Sequence, residues 1–401
     1  MKLYDYIIIG GGISGLYSLH LLNKKNKDLK ILLIEKEDYL GGRILNKDFH
    51  DTNIKLGAGI AKADNKHLLK LLKLLKLKYF KGEGEKKIVD PDFNREYHFR
   101  IIKKIKDTVK NLKSSNIKYS HLTVKQFLKR YLTQKEFQSY TTHLQYAEYL
   151  DGDVDYYINN DPMYDDNVIG PYSVFYVNWD ELIEKVLENS KESQIKLNCS
   201  CQTIRKKENY FVIDTEKKRY YAKKVICGVT INVFDRITKP LRFVRYSKYV
   251  GSIPFSRIYS YHRKGHNFIS KNTGSFNIMF NKNRLHKIIT YNDKILMASY
   301  TNGENSDFWK RIKSKSKMLN MVETELKKII PTTNKVNDII FKYWKEGVHY
   351  YRPLKSLRLN SLIKKLQMPI KNFYVVGEML SNGQGWVDGA IESVDKVYAF
   401  F

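Results

Sequence analysis

The stretch DYIIIGGGISGLYSLHLLNKK, residues 5–25, decides the fold of this chain. An apolar run leads into the pattern G-x-G-x-x-G, and a helical pattern follows at once. In that pattern the first glycine makes a tight turn, the second lets the backbone approach a pyrophosphate, and the third lets helix and strand pack closely. The helix start also turns unpaired N–H groups toward the phosphates. The sequence therefore predicts a strand, turn and helix that bind a dinucleotide, through Gly10, Gly12, Ile13, Ser14 and Gly15.

A second buried strand, KILLIEKED, completes a βαβ unit and ends near Glu35. An acidic residue at this point binds the ribose hydroxyls of a dinucleotide, and it disfavours the 2′-phosphate of NADP. Lys36 stands beside it, and Gly42 and Arg43 follow in GGRI, where a guanidinium can pair with a phosphate. The segment LGAGI then offers another approach to the cofactor, through Gly57, Ala58, Gly59 and Ile60.

Length and net charge limit the kinds of protein that this chain can be. The chain has 401 residues, enough for one large or two coupled domains, and a formal net charge of +29. That charge is typical of nucleic-acid binding, but the lysines are spread along the chain and no recognition motif accompanies them. We therefore expect a Lys-rich solvated surface and no specific nucleic-acid partner.

The three cysteines, Cys199, Cys201 and Cys227, form no secreted disulfide framework and no metal-ligand pattern. We expect core thiols in a reducing compartment and no metal site. The apolar start is too short for a signal peptide, and no stretch reaches the ~18 apolar residues of a membrane span. The expectation is a soluble cytoplasmic protein with no transmembrane segment; the sequence leaves a homodimer open.

Three further stretches agree with one family in order and spacing: NCSCQTI with KKVICGV, then ILMASYTNGENSDFW, and finally FYVVGE with GWVDGAIES. Together with the glycine turn, they make the chain resemble the flavin-dependent amine oxidase superfamily, which includes the monoamine and polyamine oxidases. The resemblance implies an α/β fold of two domains, in which a Rossmann-type FAD-binding domain is interleaved with a substrate domain of mixed sheet plus helices. We expect the FAD-binding domain at 1–78, 178–245 and 345–401, and the substrate domain at 79–177 and 246–344.

The resemblance also implies further cofactor contacts. They fall on Cys201, Trp344, Gly377, Glu378, Trp386, Val387 and Ala390. The monoamine oxidases anchor FAD covalently through a cysteine near their C-terminal tyrosine, and no cysteine lies there in this chain. We expect non-covalent FAD, with His349 as the alternative histidyl anchor.

The chemistry implied by the resemblance is amine oxidation. A hydride equivalent leaves the carbon next to nitrogen for flavin N5, and oxygen reoxidises the flavin and gives hydrogen peroxide. Two aromatic rings often hold the neutral amine; Trp386 matches one, and Tyr350 or Tyr351 the other. A core tryptophan is the alternative for Trp386. Many family members have a lysine that holds a water near N5, where this chain has Arg257; a surface ion pair is the alternative for Arg257.

One stretch departs from the basic composition. Residues 136–184 contain no Lys or Arg, and seven of their acidic residues lie close together between positions 148 and 166, where their negative field would attract a cationic amine. These residues are Glu148, Asp151, Asp153, Asp155, Asp161, Asp165 and Asp166. They favour a polyamine or other cationic amine as substrate, and an acidic solvent loop is the alternative. For the whole chain, the alternatives are a desaturase or oxidase of a non-amine, like protoporphyrinogen oxidase or phytoene desaturase, and a catalytically inert flavin-binding protein.

Overall fold

The structure of the chain, a computed structural model, describes residues 2–88, 90–144, 148–159, 170–188, 190–191, 194–268, 278–355 and 357–401. In chain order its strands are β1 (Leu3–Ile9), β2 (Ile31–Ile34), β3 (Asn46–Phe49), β4 (Thr52–Lys55), β5 (Tyr79–Ile88), β6 (Gly170–Val177), β7 (Ile195–Lys196), β8 (Cys201–Lys206), β9 (Phe211–Thr215), β10 (Arg219–Cys227), β11 (Val250–Tyr261), β12 (Ile278–Phe280), β13 (Lys287–Thr290), β14 (Ile295–Asn302), β15 (Asp338–Tyr351) and β16 (Phe373–Val375). The α-helices are α1 (Ile13–Lys25), α2 (Lys66–Leu74), α3 (Arg95–Ser114), α4 (Val124–Tyr131), α5 (Gln134–Thr142), α6 (Glu148–Asp151), α7 (Val154–Asn159), α8 (Trp179–Leu187), α9 (Ile231–Ile237), α10 (Gly303–Arg311), α11 (Lys315–Ile329), α12 (Leu359–Gln367) and α13 (Val387–Asp395).

The chain divides into two compact units, and each is built from separate segments. The first contains Met1–Phe80, Phe175–Gly251 and Leu357–Phe401. Its central sheet has the order β7-β2-β1-β10-β9-β8, with β16 also paired to β10. The pairs β2–β1, β1–β10 and β10–β16 are all parallel. This is the Rossmann-type arrangement that the glycine turn predicts.

Hydrophobic burial explains why the first sheet forms. The four residues of β2 are all buried, as are Ile7 and Ile8 of β1, because a parallel sheet is covered on both faces. Helix α1 contributes Leu16 and Leu19 to the same core. Helix α13 contributes Ile391 and Val394, which brings the end of the chain back onto its beginning. The core therefore fixes α1 and α13 beside the parallel strands.

The second unit contains Lys81–Val174 and Ser252–Ser356. It is built on a mixed sheet of order β15-β11-β14-β13-β12-β5-β6. Helices α10 and α11 cover one face of it, with the buried side chains Trp309 and Val322 packed against Ile258 and Ile288 of the sheet. The predicted α/β fold, a Rossmann-type sheet plus a mixed sheet with helices, is confirmed.

One predicted domain boundary is wrong. The sequence assigns residues 345–356 to the FAD-binding domain, but they belong to the second unit. The reason is that β15 runs without interruption through position 345 and pairs with β11, so its hydrogen bonds keep the whole strand in one sheet. Across the described residues, no helix combines the length and the apolar character that crossing a membrane requires.

Candidate flavin site and substrate-side residues

The parallel strands of the first unit end together at one edge of the sheet. The Gly10 N–H donates to the Ile34 carbonyl over 2.9 Å, and the Gly228 N–H donates to the Ile9 carbonyl over 2.8 Å. These bonds join the last residues of β2, β1 and β10. Ligands of open α/β sheets bind at this edge. Sequence reasoning missed Gly228, although a glycine directly after a buried strand is the same signal that singled out Gly10.

The three glycines of the turn have different surroundings. Gly10 has a φ of +103°, and a Cβ built there would lie 2.6 Å from the Gly228 carbonyl oxygen. A Cβ on Gly15 would lie 2.0 Å from the Gly10 carbonyl oxygen. A Cβ on Gly12 would meet no atom within 4 Å. The fold itself requires the first and third glycines, whereas the second borders open space.

That open space lies at the start of α1. Helix α1 begins at Ile13, and Gly12 is its N-cap residue without a side chain to accept from the first N–H groups. Such a helix start offers backbone donors and the positive end of the helix dipole to an anion. The turn therefore fits a pyrophosphate, which would occupy the volume that a Cβ on Gly12 would enter.

Glu35 follows directly after β2, and backbone donors hold its carboxylate. One oxygen accepts from the Gly11 N–H over 2.6 Å and the other from the Glu37 N–H over 2.9 Å. The Cys199 N–H donates to the Glu35 carbonyl over 2.8 Å, which attaches the segment before β8 to the same strand end. The predicted ribose-binding acid is thus fixed beside the turn. Lys36 is exposed, with its ammonium 3.0 Å from the Glu37 carboxylate.

Arg43 and Glu378, two predicted cofactor residues far apart in sequence, form an ion pair. Arg43 Nη1 lies 2.7 Å from Glu378 Oε1, and the carboxylate is 5% exposed. The other oxygen of Glu378 accepts from the Gly385 N–H over 2.9 Å. The Ala58 N–H donates to the Arg43 carbonyl. The GGRI, LGAGI, VGE and GQGW segments therefore meet around one buried carboxylate.

The remaining predicted residues of the first unit are placed as follows. Gly57, Gly59 and Ile60 are half-buried, and the Gly59 carbonyl accepts from Trp179 Nε1 over 3.3 Å. Cys201 begins β8, and burial raises the pKa of its thiol to about 12. All three cysteines are buried in this unit.

Trp386 is the N-cap residue of α13 and is half-buried. The Lys62 ammonium lies over its ring, 4.5 Å from the ring centroid. An ammonium on the face of an indole is a favourable cation–π contact, strongest for Trp among the aromatic residues. Further along α13, Val387 is half-buried and Ala390 is buried in the unit's core. No sequence pattern pointed to Lys62, which lies 324 positions before Trp386.

The Gly377 N–H attaches the segment that follows β16 to α13. It donates to Ser393 Oγ over 2.7 Å, and Ser393 Oγ in turn donates to the Ala390 carbonyl over 2.7 Å. These bonds fix the start of the VGE segment against the helix that follows Trp386. The C-terminal signature is therefore one connected structure.

The predicted residues Trp344, His349, Tyr350 and Tyr351 lie on β15 of the second unit, and Arg257, which is 6% exposed and so not part of a solvated surface ion pair, lies on β11 of the same unit. Tyr351 is fully buried, with its ring 5.2 Å from that of Tyr156, while Tyr350 is 5% exposed. Trp344 is half-buried beneath the Lys342 ammonium, 4.3 Å from the ring centroid. His349 is buried. The choice between the two tyrosines stays a prediction.

The acidic stretch is only partly a surface feature. Asp153 is 2% exposed, and its carboxylate accepts from the Tyr156 and Leu354 N–H groups, both over 2.8 Å. This residue caps α7 and attaches it to the chain after β15, so the prediction of a steering role is wrong for Asp153. Asp151 is exposed and Asp155 half-buried. The side chain of Glu148 and the residues Asp161, Asp165 and Asp166 lie outside the described part of the structure.

Comparison with known proteins agrees with this geometry. The sequence profile of NAD(P)-binding Rossmann-like domains matches residues 8–75, and that of the flavin containing amine oxidoreductases matches residues 112–394. An uncharacterized protein of Acanthamoeba polyphaga mimivirus is 34% identical over 67 residues, which are 17% of this chain and 13% of that protein. A flavin-containing amine oxidase of Oncorhynchus mykiss is 33% identical over 98 residues, which are 24% of this chain and 18% of the relative. The alignments thus span under a fifth of the length of these relatives.

Solved structures share the fold along the whole chain. Cyclohexylamine oxidase from Brevibacterium oxydans has a TM-score of 0.75 at 16% identity, covering 99% of this chain and 98% of that one. A putrescine oxidase bound to putrescine has a TM-score of 0.70 at 15% identity with the same coverage. A protein assigned as a protoporphyrinogen oxidase, from an Exiguobacterium species, has a TM-score of 0.73 at 13% identity, covering 100% and 98%. With a profile match over most of its length, the chain belongs to the flavin containing amine oxidoreductases.

Proposed function

We propose that the chain binds FAD non-covalently and oxidises a C–N bond of an amine. The observation that carries the proposal is the open space at Gly12 beside the start of α1, in a chain of the flavin containing amine oxidoreductase family. The pyrophosphate of FAD would bind at the Gly10–Gly15 turn, and Glu35 would hold the ribose. Bound flavin supplies the electron sink for C–H oxidation next to nitrogen.

The proposed reaction also consumes oxygen and water. An amine R₂CH–NH₂ loses two electrons and two protons to give an imine, and water hydrolyses the imine to a carbonyl compound and ammonia. The two electrons and two protons reduce O₂ to hydrogen peroxide. The amine must react in its neutral form, because only a neutral nitrogen has the lone pair that assists C–H cleavage.

We propose that the Trp386 ring forms one side (one wall) of the amine-binding site. The Lys62 ammonium already lies over the Trp386 ring, which supports the view that this ring can bind a cationic or amino group. The Trp386 position at the start of α13 puts backbone N–H groups and the positive dipole end beside the ring, where negative charge on a reduced flavin would be stabilised. Tyr350 is the second wall that we propose, since it retains some exposure while Tyr351 has none.

The preferred substrate within this proposal is a cationic amine, supported by exposed Asp151 and half-buried Asp155. Oxidation of a non-amine is the second candidate, because the protoporphyrinogen oxidase neighbour has nearly the same TM-score as the amine oxidases. An anaerobic panel separates the two. Bleaching of the flavin by spermidine, putrescine, tyramine or cyclohexylamine supports the amine oxidase, and bleaching only by a porphyrinogen supports the alternative.

A substitution at Trp386 tests the site. We expect Trp386→Ala to purify yellow and to lose most of its amine-dependent flavin reduction, with Trp386→Phe retaining a substantial part of it. The phenyl ring keeps an aromatic face, so it is the matched control. If the alanine variant loses its flavin and its thermal stability together, Trp386 is a core residue and the proposed wall is wrong.

A further inference from the structure

A lysine of the first unit covers part of the ring that we propose as one wall of the amine site. The Lys62 ammonium lies 4.5 Å from the centroid of the Trp386 ring, and both residues are half-buried. A cation is attracted to the face of an indole because the ring quadrupole is negative there. A side chain of the protein itself therefore already occupies the place where this ring would bind a cation.

Hydrogen bonds fix the backbone that carries the Lys62 side chain. The preceding residue, Ala61, exchanges two backbone hydrogen bonds with Phe175, over 2.9 and 2.8 Å. The Lys62 N–H donates to Asn65 Oδ1 over 2.8 Å, and the Asn65 N–H donates to the Lys62 carbonyl over 3.1 Å. Lys62 thus extends from a fixed turn that leads into α2.

Trp386 is held near this turn because α13 is attached to α2. The Leu68 N–H of α2 donates to Asp388 Oδ1 over 2.8 Å, and His67 Nδ1 lies 2.7 Å from Asp395 Oδ2. Asp388 follows Trp386 by two positions on α13. These contacts join residues that are 320 and 328 positions apart, so the fold itself brings the ammonium and the indole together.

The position of Lys62 disfavours a second cation at Trp386. A cation bound to an aromatic ring lies within about 6 Å of its centroid, so a substrate ammonium on either face would be within about 10 Å of the Lys62 ammonium. Like charges repel at this distance, and salt screens the repulsion only in part. On the face that Lys62 covers, the substrate would also have to displace the lysine. A neutral amine meets neither obstacle.

We propose that Lys62 is a specificity-determining residue, which favours a neutral nitrogen at Trp386 and disfavours a substrate with a second ammonium close to the reacting one. A substrate that is cationic in solution must then release a proton to solvent before its nitrogen reaches the ring. The substrate class is a monoamine, in preference to a short diamine such as putrescine. The amine part of this proposal rests on the proposed function, whereas the exclusion of cations rests on the contact between Lys62 and Trp386.

Binding of two isosteres to the full-length, FAD-loaded protein tests the exclusion of cations without turnover. Choline carries a trimethylammonium group, and 3,3-dimethylbutan-1-ol is the same molecule with carbon in place of the charged nitrogen. NMR titration of each ligand measures weak binding, and we expect the wild type to bind the neutral alcohol more tightly. Lys62→Met should raise the affinity for choline relative to the alcohol by about 2- to 30-fold, the range of one cation–π contact.

Two control variants keep a charge in place. Lys62→Arg retains the cation and should keep the wild-type ratio of affinities, as should Lys66→Met, because Lys66 is an exposed lysine of the same segment. Thermal unfolding and flavin content show which variants are folded, and Lys62→Gln replaces the methionine variant if that one is not. The gain in choline affinity should disappear when Trp386→Ala is added to Lys62→Met.

Three results overturn the exclusion of cations. The first is a wild type that binds choline more tightly than the alcohol. The second is a folded Lys62→Met or Lys62→Gln protein with the wild-type ratio of affinities, or with no choline binding at all. The third is a gain in choline affinity that persists after Trp386→Ala, since the cation then binds away from the ring.

Anaerobic flavin reduction by pentylamine and putrescine tests the substrate class. The two molecules have the same number of non-hydrogen atoms, and putrescine has a second amino group where pentylamine has a methyl group. We expect pentylamine to reduce the flavin at a lower concentration, with this advantage smaller in Lys62→Met and retained in Lys62→Arg. A wild-type preference for putrescine overturns the substrate class and leaves amine oxidation in place. If choline binding depends on Lys62 but no amine reduces the flavin, the exclusion of cations stands and amine oxidation fails.

Discussion

Alanine substitutions at Gly12 and Gly15 distinguish a glycine that the fold requires from one that FAD binding requires. Gly12 has φ −71° and ψ 172°, values that alanine adopts without strain, and its Cβ would meet no atom within 4 Å. Replacing a glycine at such a position stabilises a protein by about 0.4–1 kcal/mol, because the unfolded chain loses freedom. Gly15 differs, since its Cβ would lie 2.0 Å from the Gly10 carbonyl oxygen. Overpacking of this kind costs about 1–3 kcal/mol or more.

Gly12→Ala should weaken FAD binding although it does not destabilise the fold. A methyl group there fills the space proposed for the pyrophosphate and interferes with its backbone hydrogen bonds. Loss of one charge-assisted hydrogen bond, about 1.5–3 kcal/mol, weakens FAD binding by about 10- to 150-fold. Without flavin, Gly12→Ala should therefore be at least as stable as the wild type, and it should bind FAD weakly. Gly15→Ala should be unstable without flavin.

Two measurements check this reasoning. Urea unfolding of the flavin-free protein, followed by tryptophan fluorescence, gives the free energy of unfolding of each variant. Titration with FAD, followed by quenching of flavin fluorescence, gives the dissociation constant. Wild-type FAD affinity in Gly12→Ala would refute the pyrophosphate position. A flavin-free Gly12→Ala protein as unstable as Gly15→Ala would refute the open space.

Three further predictions concern stability. Arg43→Met leaves the buried Glu378 carboxylate without its 2.7 Å guanidinium partner, and we expect urea unfolding to show a loss of about 3 kcal/mol, with Arg43→Lys losing less. Burial lowers the pKa of His98 and of His262 from 6.5 to about 4. Between these pH values the unfolded chain binds protons that the folded chain does not. The free energy of unfolding is therefore highest above pH ~6.5 and falls by ~3 kcal/mol per histidine as the pH is lowered to 4. A urea midpoint that stays constant over this range contradicts the assignment, and His98→Phe should reduce the slope. Asp153→Ala removes a helix cap and a long-range hydrogen bond, and its melting temperature should fall while FAD affinity stays unchanged.

The sequence predicted the elements whose signals are local. The glycine turn, the buried strands on each side of α1 and Glu35 lie within 33 residues, and each residue type is required by its position in this short segment. The α/β class followed from these elements, and the chain's return to the first sheet followed from the resemblance. The boundary at residue 345 was wrong because the end of a long strand depends on its partner strand, which the sequence of that strand does not contain.

Only the tertiary structure decided which distant side chains meet. Arg43 and Glu378 were each predicted beside the cofactor, but their ion pair joins residues 335 positions apart. Asp153 resembles its acidic neighbours in sequence, yet burial and two backbone donors make it a structural cap. Arg257 and Lys287 both lie opposite Tyr300 because of the register of strands β11, β14 and β13. Register is set by side-chain packing across the whole sheet, and a shift of one residue would turn all three side chains to the other face.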